Sequence, residues 1–132
     1  YALGDLVPSI DPEAFVHPDA VVVGRVRIGP EASIWPTAVL RGDYGAIRVG
    51  ARTSVQDGTV IHAGAEFDTV IAENCVVGHN AYLEGCVLEP GCLVGSMASI
   101  LPLAKVGSGA VVAAGAVVTR GMVIPAQAMA RC

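Results

Sequence analysis

The stretch Leu88-Glu89-Pro90-Gly91-Cys92-Leu93-Val94-Gly95-Ser96-Met97-Ala98-Ser99-Ile100 repeats its own plan every six residues. A branched aliphatic residue opens each unit, and a small residue follows four places later. The frame continues without interruption through Val106, Val112, Val118 and Ile124. Towards the N-terminus it passes through Leu83, Val77 and Ile71, then Ile61, Val55 and Val49, then Leu40, Ile34, Ile28, Val22 and Val16. Four places after an opener the residue is Ala, Thr or Cys, apart from Val26, Tyr44, Val87 and Met122. A strict six-residue period with a large and a small apolar slot predicts a parallel β-helix, each unit one flat strand and a turn. Helices and sandwiches have other periods. Three units make one turn of a three-faced prism, so eighteen units predict about six coils.

The bulk properties agree with a single all-β domain over residues 1–132. The chain is 53% hydrophobic but only 5% aromatic, which suits a narrow prism filled by Val, Ile, Leu and Ala. No apolar run is long enough to cross a bilayer, so no membrane partner is expected. A net charge of −4 and a pI near 5.2 argue against nucleic acid. Cys75 and Cys92 fall in the small slot, where a reduced thiol behaves like Ala. Cys86 and Cys132 have no evident role, and a reduced, cytoplasmic protein is expected. Residues 1–15 are expected to cap the first coil, and a C-terminal cap is expected to be missing after Met129.

The frame breaks at three places. Three extra residues lie between Leu40 and Val49, four lie between Ile61 and Ile71, and one is missing between Leu83 and Leu88. Insertions in a solenoid are expected to project from one edge and to carry function. Counting units, Arg41, His62 and Glu84 each follow an opener three units apart and share one outer column. His62 and Glu84 are placed to share an ion. His79 sits five residues before Glu84, about 16 Å away if extended, and would come from a neighbouring chain. That points to a cyclic trimer with sites at its subunit boundaries. His17, in the first coil, reads as an ordinary surface residue.

Three strings carry a resemblance to a known family. Ile34-Trp35-Pro36-Thr37-Ala38-Val39-Leu40-Arg41-Gly42-Asp43, Val55-Gln56-Asp57-Gly58-Thr59-Val60-Ile61-His62 and Val77-Gly78-His79-Asn80-Ala81-Tyr82-Leu83-Glu84-Gly85-Cys86 are similar to motifs of the γ-class carbonic anhydrases. The resemblance runs from about Phe15 to Pro125. It implies a left-handed β-helix, a homotrimer, a C-terminal helix that this chain lacks, and a metal at each subunit interface. His62 and His79 match two ligand histidines, and Glu84 stands where the third is expected. By the same carry-over Arg41, Asp43 and Asp57 match interface ion pairs, Gln56 the partner of a metal-bound water, and Glu66 an acidic proton shuttle.

The function so implied is reversible hydration of carbon dioxide to bicarbonate at zinc, with iron or cobalt as other candidates. A metal with three protein ligands leaves room for a water whose pKa it lowers to about 7. Glu84 in place of histidine also admits a protein without metal. Two further readings remain: a catalytically silent member with an assembly role, and a repeat acyltransferase with a histidine as general base.

Overall fold

The structure, a computed structural model, describes residues 1–131. Eighteen short strands run from Ser9–Ile10 to Met129–Ala130, and every ladder between them is parallel. They stack in three columns. One holds Val21, Val39, Val60, Tyr82, Ser99 and Val117 in register. The second holds Ser9, Arg27, Arg48, Val70, Val87, Lys105 and Val123. The third is a seven-stranded sheet from Phe15–Val16 to Met129–Ala130. The molecule is a three-faced parallel β-solenoid, and its described residues contain no helix. Among the described residues no helix is long and apolar enough to cross a membrane.

Every predicted opener except Val16 is buried, and they line the prism axis with the small residues between them. Cys75, Cys86 and Cys92 are all buried there, and burial pushes the Cys86 thiol up to about 12, which leaves it inert. Cys132 lies outside the described residues. Three threonines, Thr53, Thr59 and Thr69, are buried in small slots. Each hydroxyl donates to a backbone carbonyl, of Ala72, Gly78 and His62 respectively. Such pairing removes the cost of burying a polar group.

Four expectations change. The coil count is about seven, because Ser9–Ile10 already pairs with Arg27 and Ile28 as a further rung. Ile10 fits the frame one unit before Val16, but with no coil outside it among the described residues it is 43% exposed. Residues 1–15 are thus only partly a cap, with the Leu3–Leu6 bridge folded before that rung. The small slot after Ile61 is not Ala65, which is exposed, but Thr69, two places before the next opener. Finally, the insertion after Leu40 does not project as a loop. Val39–Val49 is one continuous strand whose register against Val21–Ile28 slips between Gly24 and Val26. Residues 43–46 stand opposite the single residue Arg25, so the three extra residues form a bulge within the ladder. Bulges re-aim side chains, and this one aims Asp43.

Candidate functional site

Ladder register places Arg41 beside His62 and His62 beside Glu84. All three follow a buried aliphatic residue, so the two-residue period of a strand turns them outward together. The bulge then brings Asp43 into the same group. The His62 ring is held at both nitrogens: Nδ1 lies 2.7 Å from Glu84 Oε1 and Nε2 lies 2.7 Å from Asp43 Oδ1. Asp43 is anchored from behind, since Arg41 donates to its Oδ2 at 2.7 Å and the Tyr44 N–H to its Oδ1 at 2.8 Å. Glu84 Oε1 also accepts from the Tyr82 hydroxyl at 3.0 Å. The His62 side chain is only 15% exposed and that of Glu84 28%.

The local backbone holds this arrangement in place. Thr69 donates to the His62 carbonyl and accepts from the Gly85 N–H at 2.7 Å, tying the ends of the two neighbouring strands together. Gly85 turns the chain directly after Glu84 at φ +63°. A Cβ there would come within 2.8 Å of Phe67 Cβ, so both the conformation and the space require glycine.

The electrostatics follow from the contacts. The His62 hydrogen bond holds the Glu84 carboxyl below its ordinary value against the effect of burial, and Tyr82 adds to it. Burial works to raise Asp43, but the bonds from His62 and the Tyr44 N–H outweigh it and leave that carboxyl lowered too. Burial and the Glu84 carboxylate push the Tyr82 hydroxyl up, so it stays a donor. Both carboxylates are therefore charged at neutral pH. A neutral imidazole can donate to one of them, and only an imidazolium can donate to both. One carboxylate thus faces each nitrogen of the His62 ring.

The column of Arg41, His62 and Glu84 thus stands as expected, and Asp43 joins it. Arg41 and Asp43 pair with each other inside the chain. His79 does not join: it lies on a different corner, exposed, with Nδ1 3.3 Å from Asp57 Oδ1. Gln56 is half-buried, next to Asp57 in the chain. Glu66 is exposed in the loop closed by the Gly64–Phe67 bridge, so the second insertion does project. His17 contacts only its own neighbourhood, with Nδ1 accepting from the Asp19 N–H at 3.0 Å and an edge contact to Phe15. Tyr82 was not among the expected site residues. It lies two places before Glu84 on one strand, and the same period of two that marks outward residues puts both on one face.

Among the described residues no three His, Cys, Asp or Glu side chains converge so as to hold an ion. Within one chain His62 uses both nitrogens on carboxylates, and Glu84 meets His62 at Nδ1. A carboxylate on the far nitrogen of a histidine orients it rather than sharing its ligand position. One chain alone does not fit a three-ligand site.

No family model matches the chain. It is 43% identical over 107 residues to the carnitine operon protein CaiE of Escherichia coli K12, covering 81% of this chain and 55% of that protein. The CaiE of Salmonella agona is equally similar, with 54% of its length covered. The chain spans about half the length of the curated relatives it matches. A crystal structure of a putative acetyltransferase from Bacillus cereus superposes with a TM-score of 0.97 at 32% identity, over 99% of this chain and 77% of that one. The hexapeptide transferase family protein of Anaplasma phagocytophilum gives 0.93 at 37% identity, over 98% and 78%.

Proposed function

Because the chain belongs to the hexapeptide-repeat family of left-handed β-helices, we propose that it transfers an acyl group to a nucleophilic acceptor with His62 as general base. The observation that carries this reading is the His62 ring held between Asp43 and Glu84 at 2.7 Å on each nitrogen. The names of the two solved relatives, a putative acetyltransferase and a hexapeptide transferase family protein, point the same way.

The residues divide the work as follows. Asp43 keeps its bonds to Arg41 and to the Tyr44 N–H when it yields Nε2, so an acceptor hydroxyl or amine can take its place there. His62 Nε2 removes the acceptor's proton as the acceptor oxygen or nitrogen bonds to the acyl carbon. The carbon–sulfur bond of a thioester donor then breaks, and the departing thiolate takes the proton back from Nε2. Glu84 holds Nδ1–H throughout and stabilises the imidazolium, as an orienting carboxylate does in other histidine-based sites. Proton transfer of this kind is worth about 10²–10⁴-fold in rate. We propose further that the protein is a homotrimer in which the corner bearing His79 and Asp57 of a second subunit stands beside His62.

The test is thiol release from acetyl-CoA in the presence of amine and hydroxyl acceptors. Turnover by the protein, lost in His62→Ala with the fold intact, is the expected result. Equal turnover in both would refute the role of His62.

A second reading rests on the γ-class resemblance, in which Arg41, Asp43 and Asp57 match interface ion pairs and His79 a ligand; within one chain Arg41 pairs with Asp43 and Asp57 lies beside His79. On that reading the protein hydrates carbon dioxide once trimeric. Metal analysis with a hydration assay on the assembled protein tests it, and a metal-free, inactive trimer would refute it.

A further inference from the structure

A second feature stands apart from the His62 group. A cavity of about 240 Å³ near the first coils is lined by Val7, Ser9, Arg25, Arg27, Ala46 and Arg48, among others. Three of the eight cationic residues of an acidic chain therefore meet at one place. No carboxylate lines the cavity. Among the described residues none of the three arginines is in an ion pair, whereas Arg41 and Lys105 are.

The ladder makes this arrangement costly on its own. Arg27 and Arg48 are direct partners in register, and Ser9 is the partner of Arg27 on the other side. Adjacent parallel strands lie about 4.8 Å apart, so two guanidinium stems are stacked with like charge. Like charges directly opposite one another destabilise a sheet. On the following coil Asp68 is turned to the backbone and accepts from the Ala46 N–H at 2.9 Å. Arg25 precedes Arg27 by two residues and is exposed on the same side of the strand, with Val26 buried between them.

The column thus presents a hydroxyl and three forked cations, all donors, around a space that fits one tetrahedral anion with water beside it. Guanidinium groups match phosphate oxygens with paired hydrogen bonds and are weakly enough hydrated to do so in a pocket. We infer that Arg25, Arg27, Arg48 and Ser9 form a phosphate-binding site, for the free anion or for the phosphate monoester of a small molecule. The inference does not depend on the acyl-transfer reading, because none of these residues belongs to the His62 group.

The test compares the full chain with the Arg27→Gln/Arg48→Gln variant by calorimetric titration and thermal melting. Inorganic phosphate is one ligand, AMP a second, and sodium chloride at matched ionic strength the control. Arg52→Gln serves as a charge control, since Arg52 is bound to Asn74 elsewhere. The expected result is saturable phosphate binding that weakens at least tenfold in the double variant and is unchanged in Arg52→Gln. In phosphate-free buffer the double variant melts above the unsubstituted protein, because the like-charge stack is gone, and added phosphate closes that gap. AMP that binds and is displaced by phosphate identifies a monoester site; phosphate binding without AMP binding identifies a free-anion site. Absence of saturable binding, equal binding in the double variant, or an equal melting shift with chloride would overturn the inference.

Discussion

Replacing Glu84 by Gln tests the His62 group with the least disturbance of shape. The amide keeps an oxygen that accepts from His62 Nδ1 and from Tyr82, but it removes the charge. A hydrogen bond to a charged group contributes about 1.5–3 kcal/mol and a neutral one about 1 kcal/mol. Both side chains are less than a third exposed, so solvent screening discounts the difference only in part. The expected loss is therefore about 1–2 kcal/mol at neutral pH. Its pH dependence has a definite sign. The carboxyl of Glu84 is lowered from its ordinary 4.5 in the folded protein, chiefly by the His62 bond. The stabilisation is present above the unfolded-state value and is lost as pH falls through the folded-state value. Urea unfolding of both proteins at one concentration, from neutral pH to just below the carboxylate range, should show the gap closing on acidification. Acyl transfer should fall about 10²-fold, because the imidazolium loses its counter-charge. A gap that stays constant with pH, or a variant as stable as the parent at neutral pH, would refute the pairing.

Other perturbations have outcomes as definite. Gly85→Ala forces a side chain into a left-handed turn and against Phe67, and should cost about 1–2 kcal/mol by urea unfolding, with reduced turnover because Glu84 shifts. Leu40→Ala empties a fully buried slot below the site and should cost about 2–5 kcal/mol by the same measurement. If the hydration reading is right, Glu84→His should raise metal content and the carbon dioxide hydration rate of the purified protein; no increase in either counts against that reading.

The solenoid was legible because its core is a one-dimensional pattern. Each opener from Val22 to Ile124 is buried as the period requires, since every coil shields the next. The pattern fades where that shielding ends, so the rung at Ser9–Ile10, with Ile10 exposed, carries no core signature in the sequence. The column of Arg41, His62 and Glu84 followed from counting units, because register in a β-helix is set by the repeat itself. The contribution of Asp43 did not follow. Counting treats three extra residues as a loop, whereas the backbone satisfies its hydrogen bonds better as a bulged strand, and only the bulge turns that carboxylate onto His62. Nor does a repeat frame say which nitrogen of His62 faces which acid. That detail separates an orienting Glu84 from a ligating one.

The most direct test of the account runs both candidate reactions on one preparation of the protein, before and after exhaustive chelation, beside His62→Ala. The account predicts thiol release from acetyl-CoA with an acceptor present, unchanged by chelation and lost in His62→Ala. Carbon dioxide hydration that disappears on chelation, with no thiol release under any acceptor, would contradict it.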